Sequence, residues 1–103
     1  MSSPVTDSAS PGLTAALPSR VTFDLAPEIL ERCAGQLSGG AREIDLSACQ
    51  DFDSSLLGIL LELRRRAGAT GTPFRLIAPP ANLRKLAELY GVDRLLFEIH
   101  EPA

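Results

Sequence analysis

With 103 residues, 45% of them hydrophobic, the chain has the length of one domain and enough apolar mass for a core; a domain of this size hides roughly 60–70% of its unfolded surface and needs no disulfide or metal. A formal charge of −3 and a pI near 5.0 exclude a sequence-independent hold on nucleic acid, which depends on clustered positive charge. No run approaches the roughly 18 apolar residues of a membrane span, no basic-then-apolar signal peptide opens the chain, and Cys33 and Cys49 have neither metal-ligand spacing nor the density of a secreted scaffold. The simplest expectation is a cytoplasmic protein with reduced thiols and no direct membrane insertion.

Met1–Pro11 is rich in Ser and Pro, has only Val5 to offer a core, and reads as a disordered leader before a single domain over residues 12–103. Gly12–Phe23 supplies one or two short strands, with Leu13, Leu17, Val21 and Phe23 as buried candidates and Pro18 confining any strand to an edge or a short hairpin. Asp24 is placed to cap a helix with Pro27 in its first turn, where a missing N–H does no damage. Ile29, Leu30, Cys33 and Leu37 follow at helical spacing, and Gly39-Gly40 ends the element. Arg42–Ser47 alternates polar and apolar, which predicts a strand with Ile44 and Leu46 inward, and Ala48–Phe52 turns the chain.

Asp53-Ser54-Ser55 then starts a leucine-rich helix reaching Ala67. Gly68–Pro73 reads as a loop, Phe74–Ala78 as a strand, and Pro79-Pro80 as its stop. The next helix carries Leu83, Leu86, Ala87 and Tyr90 in one stripe and ends at Gly91, and Leu95–Ile99 adds a last short strand or turn. Strands alternating with helices predict an α/β fold: a mixed, largely parallel β-sheet flanked by α-helices, with right-handed crossovers.

Catalytic signatures are missing. The sequence has no glycine-rich phosphate loop and no G-x-S-x-G elbow, and its one histidine, His100, lies next to the C-terminus, so no Ser-His-Asp triad and no enzyme is expected. Asp45, Asp51 and Asp53 are spaced like an acidic loop cluster but lack the glycine and terminal glutamate of a calcium loop, so turn chemistry and capping account for them without a metal. Arg64-Arg65-Arg66 invites phosphate or anionic lipid, yet arginines in a last helical turn also complement its dipole on a solvated face. No cofactor is called for.

At about 100° per residue from Ser54, Leu56, Leu57, Ile59, Leu60, Leu61, Leu63 and Ala67 cover an arc of about 200°, wider than the roughly 100° that one core contact demands. Leu61 lies at the arc's edge, beside a narrow strip made by Ser54, Gly58 and Arg65. Glu62 and Arg66 pair at i,i+4 on a watery flank. A glycine inside a helix costs about 1 kcal/mol against alanine; Gly58 is offset either by the close approach of another backbone or by packing under a loop of its own domain. The strip Ser54, Gly58, Leu61 and Arg65 is accordingly the candidate partner-binding surface.

Asp53-Ser54-Ser55-Leu56-Leu57-Gly58-Ile59-Leu60, following the Ile44–Ser47 strand, resembles the hallmark D-S-S-G-L-G-plus-aliphatics of the STAS domain, shared by bacterial anti-sigma factor antagonists and sulfate-transporter tails. The likeness runs over nearly all of Arg20–Phe97, with Leu56 standing where the family has glycine. In the antagonists the second serine, here Ser55, is the phosphorylation site. In the branch that maintains outer-membrane lipid asymmetry, a lone STAS protein binds the ATPase subunit of an ABC-type phospholipid transporter at the inner membrane, and the residue after Asp, here Ser54, lies at that contact. The Leu83–Val92 helix, ending in Leu-Tyr-Gly, and the Val21–Pro27 segment are similar to the second branch. The resemblance implies a non-catalytic accessory subunit docking on a transport ATPase, or alternatively a phosphorylation-switched antagonist. Some STAS domains bind nucleotides, but no phosphate loop supports that here.

Overall fold

The computed structural model describes residues 14–98. In chain order these form β1 (Thr14–Ala16), β2 (Arg20–Val21), α1 (Ala26–Ser38), β3 (Glu43–Asp45), β4 (Asp51–Phe52), α2 (Ser55–Thr70), β5 (Arg75–Ile77), α3 (Ala81–Leu89) and a π-helical turn over Arg94–Glu98. The expected leader Met1–Pro11, with Leu13, Ile99 and His100, lies outside the described residues.

A parallel sheet has the order β1-β3-β5, with Ala15 opposite Ile44 and Ile44 opposite Leu76. A second parallel pair joins β2 to β4, Val21 opposite Phe52. The two ladders are one pair of neighbouring chain segments with an interruption. Leu17 N–H donates to the Asp45 carbonyl at 3.1 Å, and the Ser19 carbonyl accepts from Gln50 and Asp51 at 3.0 Å each. Between these contacts Pro18, which has no N–H, faces the turn Leu46–Gln50. Ala48–Phe52, read from sequence as a turn alone, therefore contains a short strand at its end.

Parallel neighbours require crossovers, and the right-handed rule places α1 and α2 on the same face of the sheet. The two helices do pack on each other. Helix α1 starts with Pro27 in its first turn and buries Ile29 and Cys33. Asp24 is not its cap. Leu25 holds that position without a side-chain bond, while the Asp24 carboxylate accepts the Thr22 hydroxyl at 2.6 Å. A turn intervenes, in which Leu25 N–H bonds the Thr22 carbonyl and Ala26 N–H bonds that of Phe23. It delays the helix and turns Phe23, expected to be buried, outward to 80% exposure.

Helix α2 runs past Ala67 to Thr70 rather than giving way to a loop at Gly68. Gly71 supplies the stop: at φ 73° it adopts the left-handed conformation, and the Gly71 and Thr72 N–H groups close on the Gly68 and Ala67 carbonyls. Strand β5 ends at Ile77, and Ala78, at φ 53°, follows it before Pro79. Helix α3 buries Leu83 and Ala87, but Tyr90 lies past its last residue and is 57% exposed, so it leaves the expected stripe. The segment from Leu95 is helical, not a strand; it buries Leu96, and the Arg84 guanidinium lies 4.7 Å from the centre of the Phe97 ring.

The core joins Ala15, Val21 and Ile44 of the strands to Leu56, Leu60 and Leu63 of α2 and Leu83 of α3. Among the described residues no polar or charged residue is buried. Cys33 and Cys49 are free and buried, and burial pushes both thiols above their ordinary value. The three arginines of α2 have separate surroundings. Arg64 is not on a solvated face: it is half-buried over the Phe74 ring at 5.2 Å, its Nε without a partner. Arg65 grips Glu62 with Nε at 3.0 Å and Nη2 at 2.7 Å. Arg66 reaches Glu62 at 2.8 Å and Glu31 of α1 at 3.3 Å, tying the two helices across their outer faces.

Two outcomes follow from this packing. Leu60 is fully buried at the centre of the α2 arc, so Leu60→Ala should cost about 2–5 kcal/mol in urea unfolding, as cavity-forming substitutions do. Bonds from Arg65 and then Arg66 hold the Glu62 carboxyl down to about 2. The stability from that depression is fully present above the ordinary glutamate value of about 4.3 and is lost as pH falls through about 2. NMR titration of Glu62 should place its midpoint near the lower value, and Arg65→Ala should raise it.

Candidate functional site

The start of α2 is organised by Asp53. Its Oδ1 accepts the Ser55 N–H at 2.9 Å and also the Ser55 hydroxyl, while Oδ2 accepts the Phe23 N–H at 3.0 Å. The Asp53 N–H donates to the Val21 carbonyl at 3.2 Å. One aspartate therefore satisfies an orphan donor of the helix N-terminus and pins the turn that leads into α1. The Ser55 hydroxyl, then the Ser55 and Phe23 amides, hold the Asp53 carboxyl below the usual carboxylate range.

This division of labour separates the two serines. Ser54 occupies the N-cap position but makes no side-chain capping bond; only its carbonyl serves the helix, accepting from Leu57 at 3.0 Å. Its side chain is exposed and available to another molecule. Ser55 is half-buried and its hydroxyl is given to Asp53. The other two aspartates have separate tasks: Asp45 accepts the Ser47 N–H at 2.9 Å, and Asp51 faces Arg20 at 3.5 Å. Among the described residues no group of His, Cys, Asp and Glu is arranged to hold a metal ion.

The four strip residues occupy the predicted side of α2 but do not converge on one point. Ser54 and Leu61 line a shallow groove of about 330 Å³ together with Leu57, Tyr90 and Val92. Gly58 is exposed beside it, and a Cβ added there would meet nothing within 4 Å. No loop among the described residues covers Gly58. Gly35 and Gly68 are equally open, so openness alone does not single out Gly58; its place between Ser54 and Leu61 does. Arg65 lies a turn further on, held by Glu62, and lines a separate cleft at the far end of the helix.

Sequence reading missed Tyr90 and Phe23. Tyr90 lines the groove together with Ser54, and the available signal was its position directly before Gly91, where a helix ends and its last side chains swing clear of the stripe. Phe23 stands on the turn that Asp53 pins; nothing in the alternation of Val21, Thr22 and Phe23 revealed that the strand stops at Val21. With Leu89 at 77% and Leu95 at 51% exposure, these are the exposed large apolar side chains among the described residues. Of these, Tyr90 lines the groove with Ser54 and Leu61.

No helix among the described residues is long and apolar enough to cross a membrane. A search of curated proteins finds no match. A family model described as "Mlab, STAS domain" matches residues 6–98, a span that includes the parallel strands, all three helices and the Asp53-Ser54-Ser55 corner. The chain belongs to the STAS domain family.

Proposed function

We propose that this STAS domain is a non-catalytic accessory subunit that docks on the cytoplasmic ATPase of an ABC-type phospholipid transporter acting in outer-membrane lipid asymmetry. In this role it is peripheral at the inner membrane through its partner and supports the assembly or activity of the transporter. The description of the matching family model favours this branch. The observation that carries the docking surface is Ser54: its hydroxyl has no capping duty, and it borders a groove walled by Leu61 and Tyr90. Such a groove takes an apolar anchor from the partner, with Gly58 letting the partner backbone come close and Arg65, a turn further along α2, meeting the partner outside the groove.

The alternative, an anti-sigma factor antagonist switched at Ser55, draws on the order of the motif. A phosphate on Ser55 would replace the hydroxyl proton that Asp53 accepts and set about −1.5 to −2 charges against that carboxylate. The corner would have to rearrange, which favours the unmodified form as the working state.

Co-purification with the ATPase from the native cell tests the docking surface. Ser54→Arg and Leu61→Asp should abolish it, since a few interface residues each carry about 2 kcal/mol or more. Gly58→Ala should raise the stability of the free domain by about 0.5–1 kcal/mol while weakening the complex, a pairing that a purely internal role for Gly58 does not produce. Gln36→Arg on α1 serves as the control and should bind normally. A folded Ser54→Arg variant that binds at full strength removes the groove from the interface. A large phosphorylated population at Ser55 in intact-mass spectra would favour the antagonist instead.

A further inference from the structure

A second cavity lies away from the Asp53 corner. It is a cleft of about 600 Å³ between the C-terminal halves of α1 and α2, open on one side. That volume falls within the range of about 300–1,000 Å³ typical of small-molecule sites. Its walls are apolar: Ala34 and Leu37 come from α1, and Leu63 and Ala67 from α2. Its mouth carries Arg42, Arg65 and Arg66, and no carboxylate lines it.

The arginines retain donors for a further anion. Arg42 gives one N–H to the carbonyl of Ala41 at 3.0 Å and pairs with no carboxylate among the described residues. Arg65 and Arg66 share Glu62, and Arg66 also meets Glu31. Each guanidinium has five N–H donors, more than these contacts use. Two carboxylates against three guanidiniums leave a positive mouth. The negative ends of α1 and α2 point the same way, but each amounts to about half a charge. Their last carbonyls already accept from Gly39, Ala41, Gly71 and Thr72.

The geometry points to a binding site for a single-chain anionic amphiphile, a fatty-acid carboxylate whose head meets Arg42 and whose alkyl chain lies between α1 and α2. An apolar trough with an arginine mouth fits both halves of such a molecule, whereas a compact polar anion would leave the trough unused. This site is separate from the ATPase-docking surface proposed above, and its occupancy does not depend on that reading.

Calorimetric titration of the full chain with monomeric laurate tests the site. Saturable one-to-one binding is the supporting result, with acetate showing none and both decanol and dodecyltrimethylammonium at least tenfold weaker. Arg42→Glu should weaken laurate at least tenfold. Ala69→Trp, placed at an exposed lining position so that the core is undisturbed, should block it; matched melting curves for both variants establish that they fold. Both should still co-purify with the ATPase wherever the parent chain does, so failure here is distinguishable from failure of the docking reading. The proposal is overturned by absent laurate binding, by equal or tighter binding of the cationic analogue, or by folded variants that bind unchanged. It is equally overturned by association seen only with phosphatidylglycerol vesicles.

Discussion

Helix α2 buries an arc of about 160° of its circumference at about 100° per residue, and this constraint organises the rest of the domain. Leu56, Leu57, Ile59, Leu60, Leu63 and Ala67 all lie in the core. A single flat contact covers a stripe of roughly 100°, so an arc this wide has to be enclosed from several sides. The parallel sheet, α1 and the terminal helical turn supply those sides. What remains in water is a narrow strip, and its narrowness is why the exposed groups of α2 are so few and so closely placed.

The corner that starts α2 shows how a small domain economises on polar groups. Among the described residues its core holds no buried polar residue, and Asp53 satisfies a backbone donor at the helix start and one in the preceding turn from the surface. Because one carboxylate serves both the helix and the preceding turn, Ser54 is released from capping and Phe23 is held outward on a fixed backbone. The same economy appears at the other end of α2, where Glu62 is shared by Arg65 and Arg66 and the helix is tied to α1 through Glu31. The two ends of one helix thus present different chemistry: a hydroxyl and an aromatic wall at the start, guanidiniums over an apolar cleft at the finish.

Much of this was legible in the residues. The period-two pattern around Ile44 and Leu46, the helical spacing of Ile29, Cys33 and Leu37, and the exposed strip of Ser54, Gly58 and Arg65 depend on local periodicity, which a sequence displays directly. The strip's neighbours were not legible. Tyr90 reaches the groove from the end of α3, well beyond α2 in sequence, and Phe23 faces out because its N–H donates a hydrogen bond to Asp53, far along the chain, which pins the turn beneath it. Arg64 illustrates the same limit: its angular position falls inside the apolar arc, but only the ring of Phe74 arriving from β5 explains its burial.

The sequence by itself determined the α/β alternation, the parallel crossovers, the family motif and the sidedness of α2, because these follow from periodicity, turn chemistry and the order of elements. Only the tertiary structure decided that the Asp53 carboxylate, which caps the helix through Ser55 and leaves Ser54 free, also holds the turn after β2. Only it separated Ser54 and Leu61 in one groove from Arg65 at another cleft. The physical reason is range: periodicity is written in neighbouring residues, whereas a hydrogen bond or a cavity wall is set by segments far apart in sequence and becomes real when the core brings them together.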